Sequence, residues 1–271
     1  MHSIRIWLLL LYFPLGMAAQ DLSTTNSPYD LHWKKEVPLL SFGLGSTIGG
    51  VLIVKNVEPY AFTNAQLLPP TPIGSFDESA RSNWSHDYDK ASDVLMYGSI
   101  LLPLSLGLDK EIRRDYMKIG MLFSQTFTIT QGLTAMTKGL VKRDRPYLFN
   151  PDAPLSEKQS RSARLSFFSG HTATVSSLSF FSAKVWTDYH PDSKWKPLVW
   201  SVAAVLPAAT GYFRYKAGKH YPSDVITGYA VGALVGFVVP HLHKKRKGKK
   251  YTFRTNQFNG QGFQLVYLQK F

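Results

Sequence analysis

No cysteine occurs anywhere in the 271 residues, which excludes disulfides, thiolate nucleophiles and cysteine-bound metals. That absence is compatible with the periplasm without identifying it. Acidic residues are also scarce: 18 Asp+Glu face 31 Lys+Arg, a formal net charge of +13. A clean apolar run of about twenty residues, the usual mark of a membrane helix, is missing too, and the mean hydropathy is only −0.12. A basic balance fits nucleic acid, an anionic membrane surface or an anionic substrate. The distribution disfavours nucleic acid, because most positive charges sit just outside apolar segments rather than on one soluble face.

What is present is a series of moderately apolar segments. The N-terminus places Arg5 before an apolar run over residues 6–15, with Gly16, Ala18 and Ala19 after it, the pattern of a secretory signal over 1–19. Apolar helices are then expected near 37–54, 93–108, 119–140, 167–186, 197–212 and 222–239. Each could be a core helix of a soluble all-α protein, but two features favour five or six membrane helices. Gly228, Gly232 and Gly236 line one face of the last segment, which suits close helix approach. Lys34, Lys35, Lys110, Arg113, Arg114, Lys118, Lys184, Lys194, Lys196 and the basic run from Lys244 all fall at one set of helix ends. Cytoplasmic placement of those ends satisfies the positive-inside rule.

A cleaved signal followed by six spans would put the opposite ends in the cytoplasm, so either the signal is retained as an uncleaved anchor or the glycine-rich segment 37–54 does not cross; the second is the expectation. Residues 56–90 read as a polar, proline-rich loop with a short helix. His241 and His243 read as a solvated pair in the basic tail, and the last residues, around Asn259-Gly260, as a short β-hairpin. The chain thus divides into a signal over 1–19, an N-terminal segment over 20–92, a helical core over 93–243 and a tail over 244–271.

Three short stretches carry chemistry. In "TKGLVKRDRP", Lys138 and Arg145 are spaced to share one helix face about two turns apart, with Pro146 closing the helix; alone, this is also a snorkelling cationic rim. In "SFFSGHTATVSS", Ser169 and Gly170 stand at a helix start, where free N–H groups favour an anion, and His171 follows as a proton donor; alone, this is also a simple cap. In "GYFRYKAGKHYPSDVITG", Arg214 ends one helix, and His220 precedes Pro222 and Asp224 at the start of the next. Asp224 is within reach of one imidazole nitrogen, leaving the other free to attack, or is merely a capping residue.

Taken together, Lys138-x6-Arg145-Pro146, Ser169-Gly170-His171 and Arg214-x5-His220-x3-Asp224 resemble the three signature motifs of the type 2 phosphatidic acid phosphatase (PAP2) superfamily, which includes bacterial acid phosphatases and vanadium haloperoxidases. The resemblance covers roughly 119–239. Phe168 and Phe213 depart from it, standing where proline and serine are usual. The resemblance implies an all-α, PAP2/haloperoxidase-like helical bundle. It implies that Lys138, Arg145 and Arg214 bind phosphate oxygens with help from Ser169 and Gly170. His220 would be the nucleophile, Asp224 its orienting carboxylate and His171 the acid for the leaving group.

Phosphoryl transfer needs clustered positive charge, an in-line nucleophile and an acid opposite it, and three fixed cations can replace a metal; no cofactor is expected. The implied function is metal-independent hydrolysis of an envelope lipid's phosphomonoester or pyrophosphate through a phospho-histidine. Undecaprenyl pyrophosphate, phosphatidylglycerol phosphate, phosphatidic acid and lipid A are candidate substrates. The implied location is a bacterial inner membrane, multi-pass, with the site facing the periplasm and the bilayer and lipid phosphate as partners. A soluble periplasmic acid phosphatase, a vanadate-dependent haloperoxidase, and a membrane scaffold or transporter with an anion pocket are the alternatives. Arg161 and Arg164 could contact a second phosphate, although a solvated loop is the plainer expectation for them.

Overall fold

The computed structural model describes residues 27–61, 72–245, 251–257 and 263–269; the expected signal over 1–19 lies outside them. Six long helices dominate: α1 (Trp33–Lys55), α2 (His86–Gly98), α3 (Tyr116–Val141), α4 (Gly170–Tyr189), α5 (Lys196–Lys216) and α6 (Pro222–His243). Helix α4 packs against α3, α5 and α6, while α1 lies on α3 and α2 covers parts of α4 and α5. Strands β1 (Tyr251–Gln257) and β2 (Phe263–Gln269) pair antiparallel, with Tyr251 opposite Gln269.

Contacts at the two ends fix the up-and-down order. Tyr29, ahead of α1, forms an isolated bridge with Lys244, just past α6. At the other end Ser169 N, at the start of α4, donates to Asp224 O in the first turn of α6 at 3.0 Å, and Lys138 Nζ from the end of α3 donates to Leu165 O at 2.6 Å.

The interior is polar for a helical core, and its hydroxyls are satisfied locally. Ser124, Thr126, Thr128, Thr130 and Thr134 of α3 each donate to the carbonyl four residues earlier at 2.7–2.8 Å. This back-bonding lets a Thr-rich helix be buried without unpaired donors. Close approach comes from glycine. A Cβ at Gly228, Gly232 or Gly236 would run into the carbonyl oxygens of Ser169, Ala173 and Ser177, so the stripe seats α6 directly on the α4 backbone.

Large apolar side chains instead face outward, including Phe42, Ile48 and Leu52 of α1, Leu101, Leu104 and Leu108 after α2, and Ile226, Leu234 and Phe237 of α6. Such a continuous apolar exterior is expected of a surface that meets lipid. Among the described residues three stretches are long and apolar enough to cross a membrane: Trp33–Lys55, His86–Leu108 and Pro222–His243.

Several expectations change. Segment 37–54, expected not to cross, belongs to one of those three stretches. Its glycines are packing devices: Gly43 meets Thr128 and Gly50 meets the backbone of Ala135 and Met136. Helix α2 starts at His86 rather than 93, because Ser85 caps it by accepting from Tyr88 N at 3.4 Å, and Asp87 and Asp89 occupy the first turn, where the helix dipole favours acids. Helix α3 ends at Val141, with Lys142 in the left-handed region at φ 50°, so Arg145 is not on the helix that carries Lys138. Arg145 is extended at φ −81°, ψ 151°, as a residue before proline prefers. His243 is not solvated. It is buried at the end remote from the motifs, with Nε2 3.1 Å from Glu36 Oε2 and Nδ1 2.7 Å from Val239 O.

Candidate active site

The three motifs arrive on different elements and meet at one end of the bundle. Lys138 comes from the last turn of α3, and Gly170 lies beside it: a Cβ there would sit 3.6 Å from Lys138 Cε. Ser169 is the N-cap of α4, its Oγ 2.9 Å from Thr172 Oγ1, so the first N–H groups of α4 open towards the same end. Arg145 is pinned by its N–H to Ala163 O at 2.8 Å, and its buried Nε has no partner among the described residues. Arg214, in the last turn of α5, is 3% exposed; its Nη1 is paired with Asp89 and lies 3.2 Å from Ser92 Oγ, while its Nε is likewise unpartnered.

His220 sits in the turn between α5 and α6. Gly218 makes that turn with φ +69°, where a Cβ would strike the Asn83 carbonyl, so only glycine fits. His220 is 1% exposed. Burial, then the charges of Lys138, Arg145, Arg214 and His171, hold its pKa well below the ordinary imidazole value. All four groups therefore act on one imidazole, which stays neutral with a lone pair available near neutral pH.

Asp224 is only partly the partner expected. Its Oδ2 is 3.6 Å from His220 Nδ1, longer than a hydrogen bond, and that nitrogen has no partner among the described residues. The carboxylate instead accepts from Ser166 Oγ at 2.5 Å, from Tyr221 N at 3.0 Å and from Arg143 Nη1 at 2.5 Å. It is both an N-terminal helix anchor and an anion next to the imidazole. A buried donor beside a fixed carboxylate is poised to close that gap once the ring gains positive charge.

Four residues that are not signature positions of the three motifs also shape the site. Arg143 bridges Asp224 and Asp77, the latter at 2.7 Å, with its guanidinium 4.1 Å from the Tyr221 ring. Asp77 also accepts from Ser223 N at 3.0 Å and Ser223 Oγ at 2.6 Å. Burial works to raise the Asp77 pKa, but Ser223 and Arg143 outweigh it and hold the group below the usual carboxylate value. From α2, Asp89 pairs with Arg214 and lies 3.2 Å from Lys219 Nζ, and Asp93 Oδ1 is 2.7 Å from His171 Nε2. No sequence signal singles these two out, because the polar start of α2 also carries Asp87 and Lys90.

Arg161 is exposed and Arg164 half-buried, as expected of a solvated segment, but both reach back to the chain leaving α1. Arg161 Nε donates to Val57 O at 2.8 Å and Arg164 Nη1 to Glu58 O at 3.1 Å. Together they strap the chain leaving α1 onto a connection whose Tyr147, Leu148, Ala153 and Ala163 form a small buried core. Phe213, at the position where serine was expected, packs its ring 5.7 Å from Tyr88.

The helical bundle thus gathers three cations, two histidines and a helix N-terminus at one end, around the buried imidazole of His220. The chain belongs to the PAP2 superfamily, whose family model matches residues 119–248. It is 30% identical over 188 residues to phosphatidylglycerophosphatase B of Bacillus subtilis (strain 168), an overlap of 68% of this chain and 88% of that protein. A shorter likeness, 34% over 79 residues, links it to lipid A 4'-phosphatase of Porphyromonas gingivalis, across 29% of this chain and 30% of that one. Among solved structures, the transmembrane PAP2 type phosphatidylglycerolphosphate phosphatase from Bacillus subtilis aligns with a TM-score of 0.49 at 19% identity, over 74% of this chain and 96% of its own.

Proposed function

We propose that this chain is a multi-pass bacterial inner-membrane phosphatase that hydrolyses the phosphate of an envelope lipid, at a site facing the periplasm. The observation that carries this reading is the neutral, buried His220 ringed by Lys138, Arg145, Arg214 and His171 at the ends of apolar helices. A lipid headgroup reaches that site while its tails stay beside the outward apolar faces. The named relatives support a lipid phosphate: one is a phosphatidylglycerophosphatase and another a lipid A phosphatase.

The mechanism follows from the placement. Lys138, Arg145, Arg214 and the first N–H groups of α4 hold the nonbridging oxygens and spread the charge of the transition state. His220 Nε2 attacks phosphorus, the bond from phosphorus to the leaving oxygen breaks, and that oxygen takes a proton from His171. The Nδ1–H of the phospho-histidine turns to Asp224. Water then gives a proton to His171 and attacks phosphorus, the P–N bond breaks, and inorganic phosphate leaves with both histidines restored.

The purified protein in detergent, without added metal, is expected to release phosphate from phosphatidylglycerol phosphate, phosphatidic acid or a lipid A monophosphate. Silence across such a panel would remove the proposal. Orientation has its own test, made clean by the absence of native cysteine. Exposed Glu58 lies near the site and exposed Lys110 at the other end. In intact cells Glu58→Cys should react with a membrane-impermeant maleimide and Lys110→Cys only after lysis. The reverse pattern would put the site in the cytoplasm.

A further inference from the structure

Asp93 is absent from the three motifs, yet among the described residues it makes the one direct carboxylate contact to His171. Its Oδ1 is 2.7 Å from Nε2, and the two side chains are 48% and 23% exposed, so the pair lies at the mouth of the site rather than in the core. Asp89 lies four residues earlier on the same face of α2. It is committed to Arg214 and Lys219, and Arg214 is further held by Ser92. Lys219 is in turn held by Glu157 at 3.1 Å and lies 5.2 Å from the Trp84 ring. These ties fix the register of α2 against the site, and with it the point from which Asp93 reaches the histidine.

A carboxylate on Nε2 selects the tautomer with the proton on that nitrogen and leaves Nδ1 as the exchanging position. It also stabilises the doubly protonated ring needed at the moment of proton donation.

We propose that Asp93 is a positioning residue for leaving-group protonation, holding His171 by Nε2 so that Nδ1 gives its proton to an aliphatic alkoxide as the P–O bond breaks. This rests on the phosphatase reading above and narrows it to esters whose leaving oxygen cannot depart without a proton. In the step the His171 Nδ1–H bond breaks and a leaving O–H forms, while Asp93 keeps its negative charge throughout. In the second half Nδ1 takes a proton from the attacking water and the pair is reset.

The test is a comparison of leaving groups on the intact protein in detergent. With a dialkyl glycerol monophosphate, Asp93→Ala should lower kcat by roughly 10²-fold at little change in KM, the scale of positioned acid catalysis. Asp93→Glu should recover part of the loss. With p-nitrophenyl phosphate, whose phenolate leaves unprotonated, the first-turnover release of p-nitrophenolate by the same variant should fall less than about threefold by the same reasoning, and that retained burst also shows the variant is folded. Equal losses on both substrates, or no loss on the alkyl ester, overturn the inference while leaving the phosphatase intact. A wild-type protein inactive on both overturns the functional reading and this inference with it.

Discussion

His220→Ala is expected to bring phosphate release from every lipid phosphate to background, a loss of roughly 10⁴-fold or more, as when a nucleophile acting as part of a unit is removed. His220→Gln, which keeps more of the buried volume, should lose as much. Rapid acid quenching is unsuitable for a phospho-histidine, so the intermediate should be sought in alkali, where the wild type should retain protein-bound label and neither variant should. Undiminished release by His220→Ala would falsify the mechanism. Asp224→Asn should keep a slow residual rate, since the three cations and His171 remain. The depressed pKa of His220 adds a pH signature. The folded state resists protonation while the unfolded chain accepts a proton near pH 6.5, so this group removes stability as pH falls through about that value. The acid limb of kcat/KM should likewise lie well below pH 6.5, because burial and the neighbouring cations keep the nucleophile neutral.

The three motifs were legible because each packs its chemistry into a short stretch bounded by apolar helix. Lys138, Ser169 to His171 and Arg214 sit at helix ends, and those ends could be read from composition. The geometry between motifs was less legible. Lys138 and Arg145 do converge, but through a left-handed turn at Lys142 rather than along one helix face. A single residue in that conformation has no periodic signature. Asp77, Asp89 and Asp93 lie far from the motifs in sequence, and only the packing of α2 and the segment before it brings them to the site. His243 was misread for the same reason: its partner Glu36 lies 207 residues away in the sequence. The glycine stripe of α6 was readable because its repeat matches the helix period, and it was the close approach to α4, not the stripe alone, that placed Asp224 against Ser169.

Arg143→Ala should be the most damaging change away from the signature positions of the three motifs, because it strands two carboxylates at once. Asp224 is 0% exposed and Asp77 8% exposed, and both point at this guanidinium. Burial works against the charge on Arg143, but Asp224 and Asp77 outweigh it and raise its pKa. Removing one partner from a buried ion pair typically costs about 3–5 kcal/mol, since the remaining charge has lost its compensation. Arg143→Lys should fall between, because an ammonium keeps the charge but cannot fork to Asp77, Asp224 and Ser223 in one plane.

The sign with pH separates this account from simple lost packing. In the wild type the depressed pKa of Asp77 contributes stability above about pH 4 that is lost as pH falls through the folded value. In Arg143→Ala the Asp77 carboxylate keeps the burial that opposes its charge and loses its cation, so the variant loses stability as pH rises through the same region. Thermal unfolding in detergent should therefore show the gap between the two proteins at its full size near pH 7 and shrinking towards about pH 4. A gap that stays constant with pH would assign Arg143 to packing on Tyr221. A gap that closes in acid would make it the charge that balances Asp77 and Asp224 beside His220.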